Sequence, residues 1–505
     1  MSSIATPSRH RSPPHRQRRR PSPRRGQTRH TRRRDCKRRQ RQTRKARAAC
    51  RKLRRAHQAL PRPARSLFDA LAGAFTRPTF LRVVVLALAT ILTVGGRTVC
   101  NLLRTLGALA PGHPSSYHKV FCKRRWSCWR LARGLCGWVF DHLVPEGRVL
   151  LAGDDTVAEH PGDKVFGKAC HRDPVRSSHS FTAFRWGHKW VVLSVLVRLP
   201  FTRRQWALPL LVALYRSEED NEKAGKRHKT PQHLLRQLCC VLLRWQRQRR
   251  FVLAGDGDYN SHETAGFACH RRGRLSLVSK FYKDARLYEP PPVIQGKKPA
   301  GRPRKKGAKL PTPQEVVATA GRTRLNVAWY GGGRRDVETV SGTGHWYKAG
   351  QGLVLVRWVF VRDLSGTHRE EYFFTTDVTM SAQEVIETYA ARWNEETTFQ
   401  EMRAYLGLET TRGWKEKTVL RAAPCLFGLY TVVACLYSQL PRRYARVRAV
   451  DWAGKEDVTF SDAITAVRRW LWLEWVFAIP GYNQAFAKLS GPFRSLLLHA
   501  LAPAA

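Results

Sequence analysis

The chain has 505 residues, and 91 Lys and Arg against 37 Asp and Glu leave a formal charge of +54. At 43% hydrophobic and 10% aromatic residues it has the material for sizeable cores, and its length suggests roughly two to four domains. So positive a surface repels itself unless a polyanion is near, which makes nucleic acid the expected partner and an anionic membrane surface the second choice. The 12 Cys are too sparse for a secreted disulfide scaffold, and no C-x2-C pair offers zinc spacing, so reduced thiols are expected.

Residues 1–65 hold 25 Lys and Arg, one acid (Asp35), seven Pro and no Phe, Trp or Tyr. Such a segment buries too little apolar area to offset its ordering entropy, which predicts a disordered basic arm that contacts phosphates. No apolar stretch opens the chain, so no signal peptide is expected. Two apolar runs follow. Val83–Gly96 holds 14 uncharged residues, about 21 Å as a helix against a hydrocarbon layer of ~30 Å. Ala422–Pro441 is longer but is interrupted by Pro424, and reads as a buried core helix rather than a membrane span.

Residues 66–147 read as helical. A helix over Val83–Val94 ends at Gly95-Gly96, a second begins near Thr98, and Gly112-His113-Pro114 breaks the chain before a third over Tyr117–Trp126, capped by Ser115 or Ser116. A turn followed by a basic helix suits a helix-turn-helix DNA reader.

From residue 148 the pattern changes to strands. Val149–Gly153 runs into Asp154-Asp155-Thr156. Phe181–Arg185 and Trp190–Leu199 read as a hairpin around Trp186-Gly187-His188-Lys189. A helix over Pro231–Arg247, a strand over Phe251–Gly255 ending at Asp256, a helix over His262–Arg271 and a strand over Leu275–Lys280 complete an α/β layer. Residues 281–321 are rich in Pro and Lys and contain Gly301-Arg302-Pro303-Arg304-Lys305-Lys306-Gly307. Arg302, Arg304 and Lys305 are therefore candidates for an A·T minor groove. Thr323–Thr376 alternates like antiparallel β, with Trp329, Trp346 and Trp358 read as core, and helices return from Ser381.

Two buried strands that end in aspartate place carboxylates at a sheet edge, which alone means little more than a turn or a helix cap. A later helix adds Tyr389, Arg392, Glu396 and Arg403. At about 100° per residue these four fall within a stripe about 60° wide, with Ala391, Phe399, Met402 and Leu406 on the neighbouring apolar face. Glu395 falls on that apolar side.

The spacing Tyr389-x2-Arg392-x3-Glu396-x6-Arg403 resembles the Y-R-E-K signature of DDE-class insertion-sequence transposases, with Arg403 where that family carries Lys. The resemblance implies an α/β RNase H-like core interrupted by a β-rich insertion. Asp155, Asp256 and Glu396 would be its catalytic, metal-holding carboxylates. Residues alone leave Asp154 and Asp155 open, and only the family's Asp-Thr pairing selects Asp155. Two Mg²⁺ ions, replaceable by Mn²⁺, are implied as cofactors, with Tyr389, Arg392 and Arg403 gripping DNA phosphates. The expected partners are double-stranded DNA, as terminal inverted repeats and target, and a second copy of the chain. The expected setting is the nucleoid of a bacterial cytoplasm, without a membrane. The implied plan is a disordered basic arm at 1–65 and a helical DNA-binding domain at 66–147. The first part of the core follows at 148–280, the insertion at 281–378, core helices at 379–445 and a helical C-terminal region at 446–505. The rival expectations are a transposase derivative that binds nucleic acid without chemistry, and an RNase H-like nuclease outside transposition.

Overall fold

A computed structural model describes residues 29–173, 177, 180–271, 273–292, 304–450 and 452–503. The chain divides into two compact units, residues 1–49 and 50–505.

Helix α1 (Arg29–Gln58) corrects the expected disordered arm over its described part. Arg, Lys, Ala and Gln are strong helix formers, and the residues from 36 to 47 are exposed along it. Within the second unit Leu53 is buried, and the Ala56 carbonyl accepts a hydrogen bond from the Trp475 indole N–H (2.9 Å). A helix this basic persists where its end is packed into a core. Residues 1–28 lie outside the described residues.

Helices α2 (Arg62–Ala70), α3 (Arg77–Leu92), α4 (Val99–Leu106), α5 (Ser115–Cys122) and α6 (Cys128–His142) follow. Positive-φ Gly95 lies just beyond α3, and Thr98 caps α4 through the Asn101 N–H. The predicted third helix is shorter than expected. The Arg421 guanidinium donates to the Val120 and Phe121 carbonyls in the last turn of α5 and to those of Arg124 and Trp126 beyond it.

The sheet begins with β1 (Val149–Glu159), β2 (Ala169–Arg172), β3 (Phe184–Arg198) and β4 (Gln205–Leu214). The short α7 (Glu218–Lys223) and α8 (Pro231–Trp245) lead to β5 (Phe251–Gly255), α9 (His262–Cys269) and β6 (Leu275–Lys280). Next come β7 (Leu287–Tyr288), α10 (Pro313–Thr319), β8 (Thr323–Ala328), β9 (Arg334–Lys348), β10 (Gly352–Asp363) and β11 (Glu371–Thr375). All belong to one 11-stranded mixed sheet of order β2-β3-β1-β5-β6-β11-β10-β9-β7, with β4 on β3 and β8 on β9.

Two strands differ from expectation here. The hairpin expected around Gly187 is one continuous strand, β3, because Gly187 serves a close approach rather than a turn: a Cβ there would sit 2.2 Å from the Ala158 carbonyl oxygen. Strand β4 was not foreseen; its Pro209 lies at the register shift opposite Ser194, where a missing N–H is tolerated. Strands β7 to β11 lie within the stretch 281–378, and β11 pairs directly with β6 (Phe373↔Lys280, Thr375↔Val278), extending the sheet.

Helices α11 (Ala382–Arg392) and α12 (Asn394–Leu406) lie on one sheet face, and α8 and α9 cover the other. The alternation is legible in the core. Phe251, Leu253, Leu275 and Leu277 join the large core on the α8 side, whereas Val252 and Val278 pack with Val385, Ile386 and Tyr389 of α11. Strands covered on both faces read as unbroken apolar runs for this reason. Then come α13 (Glu416–Ser438), α14 (Arg442–Ala445), α15 (Phe460–Leu471), α16 (Pro480–Ala487) and α17 (Gly491–Leu501). Helix α13 is long and apolar enough to cross a membrane, but it packs on β4, α6 and α15 with most of its apolar residues buried.

Candidate active site

Parallel strands β1 and β5 pair in register at Gly153↔Gly255, so Asp154 and Asp256 are the next residues on neighbouring strands. Side chains alternate along a strand. A Cβ on Gly153 would meet Leu235 of α8 at 2.7 Å, which turns Asp154 to the opposite face, under α11. Helix α11 ends at Arg392 and α12 starts at Asn394, with Trp393 between them still in a helical conformation, so the expected stripe survives the break.

Arg392 gathers the carboxylates. One guanidinium nitrogen, Nη1, lies 2.9 Å from Asp154 Oδ2, and the other, Nη2, lies 3.0 Å from Glu396 Oε1 and 3.7 Å from Asp256 Oδ1. The Tyr389 hydroxyl donates to Asp256 Oδ1 at 3.2 Å. Burial works against the Arg392 charge, but Asp154, Asp256, Tyr389 and Glu396 outweigh it and raise its pKa. Burial pushes the Asp154 carboxyl up to about 8 against the pull of Arg392, and Asp155 and Asp256 add to the rise. Glu396 is raised too, by burial, and Tyr389 likewise.

The structure sets one expected site residue apart from the others. Asp155 lies on the α8 side of the sheet, where Oδ1 is 3.2 Å from Lys189 Nζ and Oδ2 accepts from the Tyr259 hydroxyl at 3.1 Å. The two-residue period of β1 separates it from Glu396, and it is Asp154 that meets Arg392 beside Asp256 and Glu396. Glu395, foreseen on the apolar side, is fully buried: Oε1 accepts from Ser194 Oγ at 2.8 Å, Oε2 has no hydrogen-bond partner among the described residues, and burial and Asp154 hold its carboxyl well above the usual range.

Arg403 reaches β1 from α12, donating to Thr156 Oγ1 and, at 3.0 Å, to the Val157 carbonyl, with Nε on Glu409 at 3.1 Å. Arg304 and Lys305 are exposed in the loop before α10, and nothing brings them to the carboxylates; Arg302 lies outside the described residues. Trp329 and Trp358 are buried, and Trp346 packs among His262, Phe281 and Phe374, as expected of core. Sequence reasoning missed Tyr330, which packs on Trp393 and feels Arg392, Glu396 and Asp256; no local pattern marks it.

A family model described as DDE superfamily endonuclease matches residues 70–336, which is 267 of the 505 residues. The chain belongs to the DDE superfamily of endonucleases. A second model, the archaeal ISC1217 transposase, matches residues 352–422. The first span contains Asp154 and Asp256 of this DDE endonuclease, and the second contains Tyr389, Arg392, Glu396 and Arg403. No curated protein matches the chain. A cryo-EM structure of a piggyBac transposase synaptic complex with hairpin DNA has a TM-score of 0.37 and 10% identity, over 85% of this chain and 77% of that one.

Endonucleases of this superfamily generally use divalent metals. Among the described residues no group of three or more His, Cys, Asp or Glu is close enough to hold an ion without rearrangement. The donor chemistry nonetheless fits. Asp154, Asp256 and Glu396 offer only hard carboxylate oxygens, the ligands Mg²⁺ and Mn²⁺ prefer, and all three lie within 3.7 Å of one cationic side chain.

Proposed function

We propose that this DDE endonuclease is a DNA transposase, cleaving the ends of a mobile element and joining them to target DNA, with Asp154, Asp256 and Glu396 holding two Mg²⁺ or Mn²⁺ ions. The single observation that carries the reading is that Arg392 touches all three carboxylates, from two strands and a helix far apart in sequence. The order β4-β3-β1-β5-β6, with β1, β5 and β6 parallel and the first three strands antiparallel, supports an RNase H-like core. The matched transposase family over residues 352–422 supports transposition rather than repair.

When bound, the ions lower the pKa of the attacking hydroxyl and offset charge on the phosphate oxygens. The protein's own part is positional. Tyr389 orients Asp256, Arg392 spans the carboxylates and keeps them from repelling one another, and Arg403 braces the strand that carries Asp154. The charge of +54 supplies salt-sensitive attraction to duplex DNA, and two copies of the chain would bring a pair of terminal inverted repeats together.

The test is a strand-transfer gel with pre-cleaved element ends and Mg²⁺. Products from the native chain, lost in Asp154→Asn, Asp256→Asn and Glu396→Gln while end binding persists, support the reading. Band shifts without products would instead favour a nucleic-acid-binding derivative.

A further inference from the structure

Strands β2 and β3 extend beyond the rest of the sheet as a two-stranded ribbon. On it Phe184 and Trp186 are 63% and 61% exposed. They are two residues apart, hence on one face and about 7 Å apart. Their cross-strand partners are Arg172 and Cys170. The Lys168 ammonium lies 5.8 Å from the centroid of the Trp186 ring. Beside the base of the ribbon, the Phe166 N–H donates to the Trp414 carbonyl (3.0 Å), and Trp414 is itself 57% exposed under Lys415.

The ribbon's orientation follows from register. Asp154↔Val192, Thr156↔Trp190 and Ala158↔His188 place the even-numbered residues of β1 and β3 on one face. Phe184 and Trp186 therefore project from the face that carries Asp154. The His160 N–H meets the Trp186 carbonyl at 3.4 Å. From Asp154 to His160 is about 20 Å of strand, the length of about six stacked nucleotides.

We propose that this face of the ribbon binds unpaired DNA beyond the cut, stacking bases on Trp186 and Phe184 while Lys168 and Arg172 contact phosphates. The chemistry selects the occupant. Exposed aromatic rings flanked by cations suit a polyanion with flat apolar faces, and a single strand presents such faces where a duplex hides them. An acidic protein would meet the cations but leave the rings without a partner. The location of DNA here rests on the proposed reaction; the binding itself does not.

The test uses the full chain without divalent cation, measuring fluorescence anisotropy on oligo-dT of about 20 nucleotides, longer than one stacking site, and on a duplex of the same length. Replacing both aromatics (F184A with W186A) should weaken oligo-dT binding about tenfold or more, leave duplex affinity within about threefold, and be largely rescued by W186F. Both rings are mostly exposed, so folding should be unaffected, which thermal unfolding would verify. Unchanged oligo-dT affinity overturns the proposal. So does an equal loss on both DNAs, or a shift in sedimentation with affinities intact, which would mark the face as a contact between copies. Loss of cleavage in Asp256→Asn with this binding intact would leave the ribbon assignment standing apart from the catalytic one.

Discussion

The two faces of β1 carry adjacent aspartates in opposite circumstances. Asp154 looks toward α11, where a guanidinium links it to Asp256 and Glu396 and where Glu396 and Asp256 are 32% and 39% exposed. Asp155 looks toward α8, where it is already satisfied by Lys189 and Tyr259. Its tyrosine partner is tied to the end of β5, since the Tyr259 N–H donates to the Asp256 carbonyl at 2.9 Å. One aspartate is held among carboxylates that need a cation. The other has its charge matched and fastens two strands together. Electrostatic neighbours, not sequence position, make Asp154 the candidate for the proposed chemistry and leave Asp155 a structural one.

The largest expected effect separates the faces directly. Asp154→Asn, Asp256→Asn and Glu396→Gln should each lower DNA cleavage by at least about a hundredfold, the scale of losing one preorganised charge at a reacting centre. Asp155→Asn should cost less than about tenfold and show instead as lower stability. If Asp155→Asn alone abolishes cleavage while Asp154→Asn is active, the assignment of faces is reversed.

The second comparison concerns stability. Arg392 is 5% exposed and pairs with three acids, so Arg392→Met should destabilise the fold by about 3–5 kcal/mol in urea unfolding, because it strands buried charges. Mg²⁺ should restore part of that loss by taking the place of the guanidinium charge. Arg392→Lys should recover less than the native side chain, since an ammonium lacks the fork that spans Asp154 and Glu396 at once. An Arg392→Met protein as stable as the native one would mean that the carboxylates are neutral without it.

What the sequence made legible follows the same division. The shared stripe of Tyr389, Arg392 and Glu396 was readable because helical periodicity persists through Trp393, and the strand-end position of Asp256 because a buried run of five residues stops at it. The face that each of Asp154 and Asp155 takes was not, because the phase of a strand is set by what packs on it, here Leu235 against Gly153. Gly187 misled for a related reason. A glycine in an aromatic run suggests a turn, and only the neighbouring carbonyl of Ala158 shows that it admits a close strand. Strand β4 hid behind Pro209 until the shift opposite Ser194 explained it. The helix over Arg29–Gln58 within the basic arm was missed because composition registers charge but not the anchoring of Leu53.

Two histidines at the root of the ribbon carry the comparison into pH. His188 shares the Asp154 face and hydrogen-bonds the Phe166 carbonyl through Nε2 at 3.0 Å, while His171 lies near Lys189 and Asp155. Burial lowers both to about 4, helped for His171 by Lys189. The unfolded chain takes up these protons near pH 6.5 and the native state only near 4. The stabilisation is therefore complete above pH 6.5 and drains away as pH falls to 4, by at most about 3 kcal/mol for each residue. Urea midpoints across this range should flatten in a His171→Phe, His188→Phe chain. An unchanged slope would mean that neither imidazole resists protonation.

The smallest effect expected is on the first compact unit. Residues 1–49 carry 19 Lys and Arg against Asp35 alone, and side chains from 36 to 47 are exposed. Deleting the segment should leave cleavage chemistry and the two faces of β1 untouched, because Leu53 and Leu60, which anchor the chain that follows, are retained. It should weaken binding to any duplex sequence alike and lower the slope of log affinity against log salt, by about 0.9 for each phosphate contact removed. A deletion that extends through residue 65 behaves differently, since it also removes the buried Leu53, Leu60 and Ala64 and should cost several kcal/mol of stability, at about 2–5 for each large apolar side chain lost. The two truncations therefore separate an arm that attracts DNA from a helix end that holds the core. Should both change only the salt slope, α1 contributes nothing to the fold.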